Sequence, residues 1–305
     1  MRHRGRCLLV MSAALLALSL GGLAVSLTVL YTNDLHLRFG RLDSLRELIE
    51  VERAKGNPTL LLDGGDALQD FRQPLSAVWG ADEMVAWMNA VGYDAMALGN
   101  HELYWGSDRL TELADAMAFP LLCANLEAAP GHAAPFVSSV IRSIGEIRIL
   151  LVGVVTSYHL PYPDFPWLRY VKPAAAIARE IAALSEPVDL IVAVGHIPVG
   201  EAACVAERIP EINLFVTGHS HEETQEPAQV GETLIVQSGA FARYLGRIEL
   251  DVAEEGVKLV FNELLPTEKA TADAGMALRA STHRGLLQLT AVALAFLATA
   301  LLVLL

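Results

Sequence analysis

The chain has 305 residues, of which 53% are hydrophobic and 19% charged. That is too apolar for a disordered polypeptide and too long for a disulfide-stapled mini-domain. Lys and Arg number 22 against 35 Asp and Glu, a formal net charge of −13, which excludes the basic face that binding a nucleic-acid polymer requires.

Arg2, Arg4 and Arg6 precede an apolar run from Cys7 to Leu20, followed by Gly21, Gly22 and the small residues Ala24 and Ser26. This is the layout of a secretory signal over residues 1–26, cleaved or kept as a signal anchor, and either form exports the body. A domain over residues 27–265 follows. Its apolar runs and amphipathic stretches predict a strand at 27–32, a helix at 42–54 and a strand at 59–62. Next come a helix at 75–91, a strand at 94–98 and a helix at 107–117 opening on Ser107. Strands are expected at 120–124, 136–142 and 147–155, a helix at 173–184 and a strand at 188–194. Strands at 212–217, 234–237, 246–252 and 257–264 complete the series. The front reads β-α-β-α-β and the back is strand-rich, which predicts a mixed α/β domain with two sheets rather than one doubly wound sheet. Residues 156–171, rich in Pro and aromatic residues, read as a surface loop.

Residues 266–284 are a polar spacer. Residues 285–305 carry no Asp, Glu, Lys or Arg; as a helix they span about 31 Å, enough to cross a bilayer core. They are expected to be a transmembrane tail holding the domain on the outer (periplasmic or extracellular) side, with a lipid-anchor signal near Asp273-Ala274-Gly275 as the other reading. Past the leader, Cys123 and Cys204 lack a CxxC partner, which argues against a structural zinc site.

Five of the nine histidines follow the carboxyl end of a predicted strand. The strand ends run into Asn33-Asp34-Leu35-His36, Asp63-Gly64-Gly65-Asp66, Gly99-Asn100-His101-Glu102, Gly195-His196 and Gly218-His219-Ser220-His221. Open α/β sheets bind ligands at the carboxyl ends of their strands. Asp34 and His36 are two apart, as are His219 and His221; in extended chain such pairs face one way and can share a centre. Carboxylate, imidazole and amide oxygen together suit divalent Zn, Mn or Fe. The donors exceed one ion's needs and are about enough for two. Glu102 reads as a supporting residue rather than a base, and Asp63 as a strand-end turn residue.

In this order the motifs resemble the calcineurin-like metallophosphoesterases, and most closely the metal-binding domain of the 5′-nucleotidase family. The resemblance runs over residues 27–252 through YTNDLH, LLLDGGDALQD, MNAVGYDAMALGNHE, FPLLCANL, LFVTGHSHEET and LIVQSGAFARYLGRIELDV. It implies a four-layer α-β-β-α sandwich, two mixed sheets flanked by helices, here with terminal hydrophobic helices added by the apolar ends. It also implies roles: Asp34, His36 and His221 on one metal, Asn100, His196 and His219 on the other, and Asp66 bridging. His101 matches the catalytic histidine, which is not a ligand. The reaction implied is in-line attack on a small phosphorylated substrate by a hydroxide held between two divalent ions. His101 would neutralise the transition-state charge or protonate the leaving oxygen. The substrate class is a phosphomonoester or phosphodiester, nucleotides among them.

Two departures stand out. Where those enzymes place an Asp three residues after the catalytic histidine to orient it, this chain has Tyr104; a phenol can hydrogen-bond an imidazole but brings no charge at neutral pH. Residues 266–284 are also too few for the base-stacking second domain those enzymes carry. The alternatives left open are a related di-metal hydrolase acting on a sulfur–oxygen ester and a metal-binding surface protein with lost catalysis.

Overall fold

A computed structural model describes residues 24–70, 76–160, 164–253 and 256–268. The strands are β1 (Val25–Thr32), β2 (Thr59–Asp63), β3 (Ala95–Ala97), β4 (Leu121–Leu122), β5 (Leu126–Ala128), β6 (Ser139–Ile144) and β7 (Ile147–Val155). They continue with β8 (Leu168–Tyr170), β9 (Leu190–His196), β10 (Leu214–Thr217), β11 (Ala228–Val230), β12 (Thr233–Val236), β13 (Tyr244–Ala253) and β14 (Gly256–Pro266). The helices are α1 (Leu42–Arg53), α2 (Ser76–Val91), α3 (Asn100–Leu103), α4 (Ser107–Ala116), α5 (Pro173–Ala182) and α6 (Val199–Ala206).

One sheet has the order β14-β13-β1-β2-β3-β4 and the other β11-β12-β10-β9-β7-β6. In the first, β1 to β4 run parallel and β13 and β14 antiparallel; in the second, β7, β9, β10 and β12 are parallel and the two edges antiparallel. Both sheets are therefore mixed, and each sends its parallel strands' carboxyl ends to one rim.

Alternation along the strands divides the core. Leu27, Val29 and Tyr31 of β1 point between the sheets, where they meet Leu151, Val192 and Leu214, while Leu30 points outward to Leu45, Ile49 and Met88 of α1 and α2. On the far side Val154, Ala193 and Phe215 pack on Ile177 of α5 and Ala202 and Val205 of α6. Each sheet is thus buried on both faces, and the layers run α-β-β-α as expected.

The boundaries differ where local signals were weak. β1 begins at Val25, with Ser26 opposite Asp251, so the strand reaches two residues into the segment expected as leader. β9 ends on His196, so this histidine closes the strand instead of following it. α3 and α6 were not expected, nor was the β5–β8 pair; β8 lies inside the segment read as loop. Residues 1–23 and the whole of 285–305 lie outside the described residues. Among the described residues no helix is long and apolar enough to cross a membrane.

Candidate metal centre

The seven expected ligands and His101 come together at the rim where the carboxyl ends of β1, β2, β3, β9 and β10 meet. Asp34 and His196 are fully buried at its base. Above them His36, Asp66, Asn100, His101, His219 and His221 line a cavity of about 510 Å³, with Asp70, Tyr104 and His159. The Asp34 Oδ1 lies 3.1 Å from His221 Nε2, 3.6 Å from His36 Nε2 and 4.0 Å from His196 Nε2. The Asp66 Oδ2 lies 3.0 Å from His196 Nε2 and 3.8 Å from His101 Nε2. His219 Nδ1 is 3.1 Å from Asn100 Oδ1 and 3.3 Å from His196 Nε2.

Five of the seven, Asp34, His36, Asp66, His219 and His221, have φ between 48° and 74°. Left-handed backbone costs a non-glycine residue about 1–2 kcal/mol. The i, i+2 pairs therefore converge through left-handed turns, not through extended chain as the spacing suggested. The surroundings hold those turns. His36 N–H donates to Asp66 O (3.0 Å) and Asp34 N–H to Gly65 O (2.8 Å), which locks the β1 and β2 exits together. Glu102, fully buried, accepts from the N–H groups of Asp66, Leu68 and Gly99, each at 2.9 Å. That makes it the clamp of the Asp66 loop rather than a base. Gly99 is required here: a Cβ would sit 2.1 Å from Asp66 Oδ1 and 2.5 Å from Asp66 N. Asp63 shapes the turn by accepting from Thr32 Oγ1 and Gly65 N–H.

The electrostatics describe a site built for cations. Burial works against the Asp34 carboxylate, yet the charge of His196 and the nearness of His221 and His36 hold it well below the usual range. Asp66 is lowered in the same way, chiefly by His196. Burial disfavours charge on His196, but Asp66 and Asp34 outweigh it and raise the imidazole to about 10. Burial and the His196 charge push His219 down to about 4. The two carboxylates hold a positive charge between them, and protons on the imidazoles supply it. Asp34 Oδ1 is buried without a hydrogen bond of good geometry. Asp34, His36 and His221 offer three donor atoms mutually within 4.8 Å, as do Asp34, Asp66 and His196, and His36, Asp66 and His101. An orphaned carboxylate oxygen inside a mixed carboxylate–imidazole set fits divalent metal ions, since buried polar atoms otherwise find partners.

The ring nitrogens turned away from the centre are held by carbonyl groups: His36 Nδ1–H by Gln69 O and His196 Nδ1–H by Gly64 O, each at 2.9 Å. Such partners set the tautomer and aim the other nitrogen inward. The chain supplies several that sequence reasoning missed. Asn33 Nδ2 donates to Asp34 Oδ2 (2.7 Å) and Gly239 O, while its Oδ1 accepts from Ser238 N–H and Oγ–H. Gln237 donates to Gly218 O (2.8 Å) and accepts from Ser220 Oγ–H, holding the His219–His221 turn. Gln69 Oε1 accepts from His101 Nδ1–H at 2.9 Å. All three lie inside or beside the quoted motifs, and that adjacency was the one signal available. Tyr104 meets His101 edge-on, ring centroids 5.5 Å apart, and its hydroxyl donates to His159 O at 3.0 Å. Where the resembling enzymes use an Asp at the place of Tyr104 to orient this histidine, an amide from the β2 exit stands at Nδ1 here. Burial, with the like charges of His36 and His196, lowers the His101 pKa below its ordinary value.

A two-sheet α-β-β-α sandwich whose strand ends converge on a carboxylate–imidazole cluster defines the metallophosphoesterase class. The family model for calcineurin-like phosphoesterase matches residues 27–223, and the chain belongs to that family. It is 30% identical over 290 residues to a 5′-nucleotidase of Diplobatis ommata, covering 78% of this chain and 49% of the relative. It is 27% identical over 235 residues to the uncharacterized metallophosphoesterase YunD of Bacillus subtilis, covering 74% and 50%. The chain spans about half the length of these curated relatives. Among solved structures, the sulfate thiohydrolase SoxB of Thermus thermophilus superposes with a TM-score of 0.71 at 22% identity, covering 85% of this chain and 61% of that one, a likeness of fold.

Proposed function

We propose that this chain is a di-metal hydrolase of phosphomonoesters or phosphodiesters, with nucleotides as the first substrates to try. The observation that carries the reading is the convergence of seven donors from five strand ends under one open cavity, with Asp34 and His196 at the base and Asp66 lining it. Asp34, His36 and His221 would hold one divalent ion, Asn100, His196 and His219 the other, and Asp66 both. Such ions would supply charge neutralisation and an activated water at neutral pH. The protein's own part is to place the phosphoryl group above Asp66 and to keep the His101 ring beside it. From there Nε2 can hand a proton to the leaving oxygen. Relatives named 5′-nucleotidase, those of Diplobatis ommata and Vibrio parahaemolyticus among them, support nucleotides as substrates.

The same reading takes the domain to lie outside the cytoplasm, tethered by residues 285–305, on the strength of the Arg-headed leader and the charge-free tail. Turnover of p-nitrophenyl phosphate, its bis ester and a nucleotide panel with Mn²⁺ tests the activity. Full metal content with no turnover of any ester would favour the metal-binding surface protein instead. Deleting residues 276–305 should release active enzyme from membranes; a truncated form that still sediments with them would refute the tether.

A further inference from the structure

We propose that Gln69 is the positioning residue of His101, and that it ties His101 to the ligand His36 through a single residue; this rests on the reading of His101 as the proton donor. Gln69 is 6% exposed, in the turn after β2. Its two carbonyl groups serve two imidazoles: the backbone O accepts from His36 Nδ1–H and the side-chain Oε1 from His101 Nδ1–H, both at 2.9 Å. The turn is pinned on either side. Leu68 N–H donates to Glu102 Oε1 and Leu68 O accepts from Trp105 Nε1–H, while Asp70 pairs with Arg38 at 2.9 Å. Gln69 is thus set by elements other than the histidines it holds, the arrangement that lets a supporting shell impose geometry on a site.

The consequence is chemical. An amide oxygen is an acceptor only, so it can take the Nδ1–H hydrogen bond from the neutral ring as well as, more strongly, from the cation. His101 therefore keeps its proton on Nδ1 throughout, and the proton in transit is always on Nε2, the nitrogen 3.8 Å from Asp66 Oδ2. In the step itself the Nε2–H bond breaks, the leaving oxygen gains the proton, and the ring is left neutral with Nδ1–H still bonded to Gln69. A neutral partner orients the ring without adding a negative charge beside Asp66.

The test compares Gln69→Leu, which deletes the acceptor, with Gln69→Glu, which keeps it. In histidine-¹⁵N spectra at alkaline pH, His101 should be a pure Nδ1–H tautomer in the wild type and in Gln69→Glu, and a mixture in Gln69→Leu. Metal content should not change, because the His36 contact uses the backbone. With alkyl phosphates kcat should fall about 10–100-fold in Gln69→Leu, KM unaltered, with a smaller loss on p-nitrophenyl phosphate and recovery in Gln69→Glu. In a His101→Asn background, Gln69→Leu should cost nothing further. An unchanged tautomer in Gln69→Leu, or an equal loss across leaving groups, would overturn the proposal. Should the wild type hydrolyse no ester, the proposed function fails, and the tautomer alone decides the positioning role.

Discussion

Replacing Asn33 by Asp tests the hydrogen-bond network under Asp34 by changing one NH₂ into an oxygen. The retained oxygen still accepts from Ser238, but the other confronts Asp34 Oδ2 at 2.7 Å, where a donor stood. Two full charges that close, at an effective dielectric near 20, repel by about 6 kcal/mol. Holding one carboxyl protonated at pH 7 costs about 4 kcal/mol, from an ordinary pKa near 3.9 and about 1.4 kcal/mol per unit. The cheaper course wins at neutral pH: the pair takes up a proton, and the new O–H donates to Asp34 much as the amide did. The folded-state pKa of residue 33 is then raised above its unfolded value. The deficit relative to wild type is small near pH 4 and grows by about 1.4 kcal/mol per unit as pH rises, levelling off above pH 8. A further pH-independent loss of about 1–3 kcal/mol comes from the orphaned Gly239 carbonyl. Urea unfolding of the EDTA-stripped protein between pH 5 and 8.5 measures both parts. A deficit flat across that range to within about 0.5 kcal/mol would refute the argument, because one of the two carboxyls would then not be sensing the other.

Metal analysis after gentle purification in Mn²⁺ or Zn²⁺ should return close to two ions per chain; one or none, with no gain on adding metal, counts against the ligand set. Gly99→Ala, whose methyl meets the Asp66 backbone as well as its carboxylate, should destabilise by about 1–3 kcal/mol and release metal, read by thermal unfolding and metal content together. The metal-free protein should lose stability as pH rises from 7 to 10. His196, raised to about 10, contributes fully below its unfolded value near 6.5 and loses that contribution as it deprotonates. Melting temperatures of stripped and loaded protein over that range should diverge, and parallel curves would show that His196 is not the charge the carboxylates hold.

Much of the fold was legible because burial writes periodicity into the chain. β7 spans Ile147–Val155 as read from its apolar run, and α1 begins at Leu42 with Leu45 and Ile49 inward. The donors were legible because Asp, Asn and His at five strand ends have little use there apart from a shared ligand. α6 escaped notice because its eight residues, VGEAACVA, carry no strong stripe, and β8 because three residues of strand depend on a partner found only at β5.

What the sequence determined by itself was the list of chemical groups and the rim they share, since both follow from strand order and residue type. Which group holds which was decided by the tertiary structure alone. Gln69 and Tyr104 stand 32 and 3 positions from His101. The nearer one sends its hydroxyl to His159, and the distant one takes the imidazole proton. The reason is geometric: a hydrogen bond needs an acceptor in line at about 2.9 Å. That placement comes from the way the β2 exit folds over α3, clamped by Glu102. The left-handed turns at Asp34 and His36 are likewise held by Gly65 and Asp66 of the neighbouring strand exit, and the one at His219 by the Asp34 carboxylate of the other sheet. The strain is local, but the bonds that hold it come from residues far apart in the chain.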